Sequence, residues 1–291
     1  MDKRFSHVLN VIAEDAAFLA DRLRAMGDVA WLSPGRAFDI VLPGDPAAAL
    51  AEARQPGLAA DINVVAIAGR RKKLLIADMD STIINCECLD ELADMAGIKA
   101  KVSAITERAM KGEIEFAGAL RERVGLLKGL PLEALERVWR DRVRLIPGAT
   151  ALVATMKAHG AHTLLVSGGF AFFAARVAEA TGFDEHQSNE LLDDGKVLTG
   201  EVGEPILGRE AKLHALERAL TQFGLRPQDA LAVGDGANDL AMIQHAGLGV
   251  AYHAKPVVAA AAGASIAHND LTALLYLQGY RDEEIISPSP A

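Results

Sequence analysis

Residues 6–12, Ser-His-Val-Leu-Asn-Val-Ile, alternate in the manner of an extended strand. Residues 14–26 space their apolar positions as an amphipathic helix does and stop before Gly27. Two short strands flank Ser33-Pro34-Gly35, a turn signal. Residues 47–54 predict a second helix and residues 62–68 another strand. The order βαββαβ predicts a small ferredoxin-like unit over residues 1–70. The basic run Gly69-Arg70-Arg71-Lys72-Lys73 follows and reads as a solvated linker rather than a dock for an acidic partner.

The pattern changes at residues 74–77, Leu-Leu-Ile-Ala, a short apolar run that ends in Asp78-Met79-Asp80-Ser81-Thr82. From Glu87 to about residue 145 the chain is charged and helical, with breaks near Gly97, Gly112 and Gly129-Leu130-Pro131. After Pro147-Gly148 strands and helices alternate, with strands expected at residues 163–166, 230–233, 249–251 and near 265–267. Such alternation predicts an α/β fold with a doubly wound parallel sheet. Asp194-Gly195 marks a β-hairpin turn inserted into it. The expected division is therefore a small domain over 1–70, a core from 71–84 and 146–291, and a helical cap inserted at 85–145.

Composition narrows the class. Apolar residues make up 51% of the 291, too many for a disordered chain. With 30 basic and 39 acidic residues the net charge is −9, which disfavours nucleic acid as a partner. Asp15, Asp21, Arg22 and Arg24 interrupt the first apolar region, arguing against a signal peptide. No run of about 18 uncharged apolar residues suggests a membrane span. The two cysteines, Cys86 and Cys88, are too few for a disulfide scaffold, and a bridge closing so short a loop is strained. They are expected to be reduced thiols of a cytoplasmic protein, used in packing if at all. The eight histidines are scattered and indicate no zinc site.

Four segments carry chemistry. Asp78 and Asp80 follow an apolar strand, and ligand sites of parallel sheets lie at such carboxyl ends. Two carboxylates so close repel, and a hard divalent cation such as Mg²⁺ relieves that, although acidic residues also end strands as plain turn formers. Val233-Gly234-Asp235-Gly236-Ala237-Asn238-Asp239 is a second acidic strand end. Asp235 offers a third carboxylate, and Asp239 a partner for metal-bound water or for Lys212, unless Asn238 or Asp239 simply caps a helix. In Leu165-Val166-Ser167-Gly168-Gly169 a hydroxyl and backbone N–H groups make an anion site, or Ser167 is an ordinary N-cap. Lys212, between these loops in sequence, adds a cation. No Gly-x-Ser-x-Gly elbow and no Gly-x-x-x-x-Gly-Lys-[Ser/Thr] loop is present. What remains is phosphoryl transfer to a carboxylate: Asp78 as nucleophile, Asp80 as general acid and base, and Ser167 and Lys212 on the phosphoryl oxygens.

The ordered motifs Asp-x-Asp-Ser-Thr, Ser-Gly-Gly, Lys and Gly-Asp-Gly-x-Asn-Asp resemble those of the haloacid-dehalogenase-like (HAD) phosphatases. The resemblance extends to the phosphoserine phosphatase family through Glu87, Leu89-Asp90-Glu91-Leu92-Ala93, Ala109-Met110-Lys111-Gly112, Phe116, residues 121–129 and residues 194–200. It covers residues 74–280. It implies a HAD-like core with a helical cap, and an N-terminal unit similar to ACT-type domains. It implies that Asp78, Asp80 and Asp235, with the Met79 carbonyl, bind Mg²⁺, and that Ser167, Gly168, Lys212 and Asn238 bind phosphate. It implies that Glu87 holds a substrate ammonium, Arg123 holds its carboxylate, and Met110 and Phe116 close the cap. The activity implied is Mg²⁺-dependent hydrolysis of O-phospho-L-serine through an aspartyl phosphate, the last step of serine biosynthesis. A phosphotransferase, a phosphatase for another small phosphomonoester, and an amino-acid sensor with an inert core are the competing readings. The N-terminal unit is expected to pack or to form a homodimer.

Overall fold

In the computed structural model, which describes residues 6–55, 57–110, 113–208 and 210–287, the first alternating segment becomes strand β1 (His7–Ala13). Helix α1 (Ala16–Leu23) follows, capped by the Asp15 carboxylate on the Phe18 N–H. Strands β2 (Val29–Ser33) and β3 (Ala37–Leu42) flank the expected turn. Helix α2 (Pro46–Ala53) opens with Asp45 accepting the Ala47 N–H and proline in the first turn, and β4 (Ala60–Ala66) completes the unit. The antiparallel order is β2-β3-β1-β4, with Leu9 opposite both Ile40 and Val64. One face of this sheet buries Leu9, Val11, Phe38, Ile40 and Ile62 against Ala16, Leu19 and Leu23 of α1.

The other face is polar yet buried, at Asn10, Asp39, Asp61 and Asn63. Strand β4 therefore begins two residues before the expected position. Asp61, outside the expected strand, accepts with its carboxylate the N–H groups of Ala267, His268 and Asn269. Asn63 donates to the Ser265 carbonyl and accepts its N–H. Arg70 forks onto Asp39 and also donates to the carbonyls of Tyr276 and Leu277. The expected solvated linker is thus, at Arg70 and the buried Lys72, a built-in contact.

The second sheet starts with β5 (Leu74–Ala77), buried along its whole length. Helices α3 (Cys88–Met95), α4 (Lys99–Met110), α5 (Phe116–Gly125) and α6 (Glu133–Asp141) form the expected helical segment. Helix α7 (Ala149–Ala158) precedes β6 (His162–Phe170), followed by α8 (Ala171–Thr181) and β7 (Glu185–Asn189). Strands β8 (Leu191–Asp193) and β9 (Leu198–Val202) make the hairpin around Asp194-Gly195. Then come α9 (Ala211–Phe223), β10 (Ala230–Gly234), α10 (Leu240–His245), β11 (Leu248–Tyr252), α11 (Pro256–Ala261), β12 (Ala264–Ile266) and α12 (Ala273–Leu277). The six-stranded order is β12-β11-β10-β5-β6-β7, with β10, β11 and β12 parallel and β6 parallel to β7. Among the described residues no helix is long and apolar enough to cross a membrane.

The chain divides into two compact units. The first comprises Met1–Ile76, Pro147–Thr163 and Ala219–Ala291, and the second Ala77–Ile146 and Leu164–Arg218. Helices α3–α6 all belong to the second.

Candidate active site

In the second unit the residues after β5 and those of β6 converge. Asp78, Asp80, Ser167 and Lys212 are all buried. Lys212, the second residue of α9, forms a short ion pair from Nζ to Oδ1 of Asp78. Most helix lysines reach water, but this one is 3% exposed and neutralises a carboxylate that burial would otherwise penalise. The Asp80 carboxyl is held at both oxygens. Oδ1 accepts the Cys88 N–H at 3.0 Å, and Oδ2 accepts the Ser167 hydroxyl at 3.0 Å. Burial pushes its pKa above the ordinary carboxylate value, opposed by Cys88, Ser167 and the Lys212 charge. A carboxyl with a raised pKa is more readily protonated than an ordinary one, which suits a group that hands a proton to a leaving oxygen.

The segment after Asp80 folds back sharply. Ser81 adopts φ 56°, and the Met79 carbonyl accepts the N–H groups of Thr82, Ile83 and Ile84. That carbonyl, implied by the resemblance to face a cation, is directed into the turn instead.

Ser167 is not a helix cap. Strand β6 continues through Gly168 and Gly169 to Phe170, and α8 begins at Ala171. Its register against β7 shifts between Val166 and Phe170. The Ser167 Oγ accepts the Gly169 N–H at 2.8 Å while donating to Asp80. A β-carbon on Gly169 would lie 2.8 Å from the Asp80 carboxylate, so only glycine fits.

The expected substrate residues also fall in this unit. Glu87 precedes α3 and accepts the Ser81 hydroxyl at 2.8 Å. Arg123, near the end of α5, donates to the Ala119 carbonyl and the Thr106 hydroxyl. Burial lowers its pKa, and the nearby Asp90 and Glu87 charges oppose that. Phe116 opens α5, and its ring lies against Gly168 and Gly208. Met110 ends α4, but its side chain lies outside the described residues.

In the first unit, β10 ends in Gly234 and Asp235 follows. Carboxylate oxygens of Asp235 and Asp239 lie within 4.8 Å of each other. Asp239 Oδ2 accepts the Gly236 N–H at 3.0 Å, and a β-carbon on Gly234 would overlap the Asp239 carboxyl. Asn238 is half-buried in the same loop.

A model of the haloacid dehalogenase-like hydrolase family matches residues 75–244. The chain belongs to that family. Among its HAD relatives, a phosphoserine phosphatase of Polaromonas sp. is 47% identical over 227 residues, covering 76% of this chain and 96% of the relative. A HAD family hydrolase from Salmonella enterica serovar Typhi superposes with a TM-score of 0.80 at 29% identity, over 93% of this chain and 97% of that one. A phosphoserine phosphatase solved as a phospho-aspartyl intermediate analogue matches at 40% identity and TM-score 0.64, over 70% of this chain and 98% of that one.

Sequence reasoning missed Asn189. Buried at the end of β7, it donates to the carbonyls of Gly168 and Leu207 and accepts the Leu207 N–H at 2.7 Å. It braces the Ser-Gly-Gly segment from behind. A lone asparagine at a strand end carries no pattern that would have flagged it.

Proposed function

We propose that this HAD-family enzyme hydrolyses O-phospho-L-serine to L-serine and phosphate. The Asp78–Lys212 pair beside a protonatable, fully held Asp80 carries this reading. In the first step a carboxylate oxygen of Asp78 attacks phosphorus, the ester P–O bond breaks, and Asp80 gives its proton to the departing serine oxygen. In the second, Asp80 takes a proton from water, the oxygen attacks phosphorus, and the Asp78 carboxylate leaves. Lys212, Ser167 and Gly168 would face the charge on the phosphoryl oxygens, and the resemblance alone adds Asn238 to that set.

The donor chemistry fits Mg²⁺. Asp78 and Asp235 offer hard oxygens, and Asp239 lies beside Asp235. Asp80's place in that set rests on the resemblance alone, since its carboxyl is engaged by Cys88 and Ser167. When bound, the cation would offset the negative charge of phosphate and carboxylates. Glu87 and Arg123, charges of opposite sign within electrostatic reach, match the ammonium and carboxylate of an amino acid. Phe116 against Gly168 shields the phosphate segment from water. The relatives named phosphoserine phosphatase support the same substrate.

Phosphate release from O-phospho-L-serine tests this, run with Mg²⁺, with EDTA, and with Asp78→Asn, beside phosphothreonine, phosphoglycolate and glycerol phosphate. Preference for phosphoserine by orders of magnitude, with both controls silent, is expected. Equal slow turnover of all four would sink the substrate assignment and keep the chemistry. Release that needs an added alcohol would instead mark a phosphotransferase.

A further inference from the structure

Among the described residues only Ser81 and His253 hold a positive φ without being glycine. At φ 56° a β-carbon crowds the backbone, and glycine is the residue such a position favours. A serine there is strained, and such strain persists where the side chain has a use. The use is visible in the hydroxyl, which donates to Oε1 of Glu87 at 2.8 Å. With its one proton given to Glu87, the hydroxyl has none to offer a phosphoryl oxygen.

The backbone around this bond is fixed by other contacts. The Ser81 N–H donates to the Cys86 carbonyl at 3.3 Å and closes the loop between them. Ile84 bridges to Leu145, and Asn85 donates its N–H to the Arg144 carbonyl and accepts the Arg144 N–H at 2.8 Å. On the other side of Glu87, the Cys88 N–H is held by Asp80. The Glu87 backbone is therefore set, and what is left to place is a long, exposed side chain with much rotamer freedom. Arg123 is oriented separately, by the Ala119 carbonyl and the Thr106 hydroxyl. The two charges assigned above to a substrate ammonium and carboxylate thus have neutral partners of their own.

We propose that Ser81 is a positioning residue that sets substrate specificity: its hydroxyl aims the Glu87 carboxylate at a substrate ammonium. The proposal rests on hydrolysis of O-phospho-L-serine as the activity. Ser81 acts through Glu87 and touches no reacting atom. A carboxylate aimed before the substrate arrives loses little rotamer freedom on binding. Without the hydroxyl, part of the ammonium's binding free energy goes into ordering Glu87. That loss falls only on substrates that carry an ammonium.

The test is steady-state turnover by the full chain with Mg²⁺ of O-phospho-L-serine and of 3-(phosphonooxy)propanoate, the same ester without its ammonium. The quantity read is the ratio of the two kcat/KM values. Ser81→Gly removes the hydroxyl and the strain together, and it should unfold at no lower temperature than the parent. Its ratio should fall by about 3–10-fold, through KM for phosphoserine rather than kcat. Ser81→Ala, which keeps the strain, should lose the same ratio. With Glu87→Gln already in place, adding Ser81→Gly should change the ratio by less than about twofold. A ratio unchanged in Ser81→Gly, an equal fall on both esters, or a full further loss beside Glu87→Gln overturns the proposal and leaves the assigned function standing. A parent that turns over both esters alike, or neither, refutes the ammonium assignment itself and the role of Ser81 with it.

Discussion

Asp80 is a residue whose chemistry and stability pull in opposite directions. Its folded pKa lies above the ordinary value of 3.8 because burial disfavours the charged form. Between 3.8 and that raised value the native state holds a proton that the unfolded chain has released. Stability from this group is therefore present at low pH and lost as pH rises through that window. Above that window a charged, buried Asp80 weakens the fold. Asp80→Asn should abolish phosphate release yet unfold at a higher temperature than the parent at neutral pH in EDTA. The gap should shrink as the pH falls towards 4, and a mutant less stable at neutral pH would contradict the argument. Asp78→Asn removes the nucleophile, and phosphate release should fall by at least about 10³-fold with the far-UV spectrum unchanged. Both aspartates were legible in sequence because they end an apolar strand two residues apart. The protonation bias was not, because it depends on burial and on partners supplied by Cys88 and Ser167.

At the scale of elements, the informative case is β6. Its sequence reads as a strand that stops at Val166, since Ser-Gly-Gly is a loop signature. The strand instead runs to Phe170: Gly169 carries no side chain into the Asp80 carboxyl, and Asn189 takes up the Gly168 carbonyl. Gly169→Ala should displace Ser167 or Asp80 and lower kcat by about 10–100-fold with a smaller change in KM, measured by steady-state phosphate release. Asn189→Ala leaves three hydrogen bonds unmade at a buried position and should destabilise by about 2–3 kcal/mol in denaturant unfolding. The same comparison explains β4. Polar residues at the start of a strand look like a turn until the partners they face are known.

At the scale of the whole molecule, long-range pairs decide what short-range patterns leave open. Asp61 meets residues about two hundred positions away, accepting N–H groups from Ala267, His268 and Asn269. Asn63 pairs in both directions with Ser265 of β12, occupying hydrogen-bonding groups that an edge strand would otherwise expose. The N-terminal sheet is thereby fixed in place within its unit by buried polar bonds. Asp61→Ala strands those amides and should lower stability by about 3 kcal/mol, with Asp61→Asn recovering part of it, read by thermal unfolding. Unchanged stability in Asp61→Ala would mean that the loop finds water instead.

By itself the sequence determined the order of the N-terminal elements, the α/β class, the helical insertion after β5 and the identity of the acidic strand ends, while edge strand β7 (Glu185–Asn189) was not read in it. Each of these follows from local periodicity or from residue types a few positions apart. Only the tertiary structure decided which polar residues are buried and what they meet. Lys212 reaches Asp78 across 134 positions and Ser167 reaches Asp80 across 87. A helical lysine or a strand-end serine looks alike in sequence whether solvated or buried, because its pKa and partners are set by atoms that local spacing does not bring near.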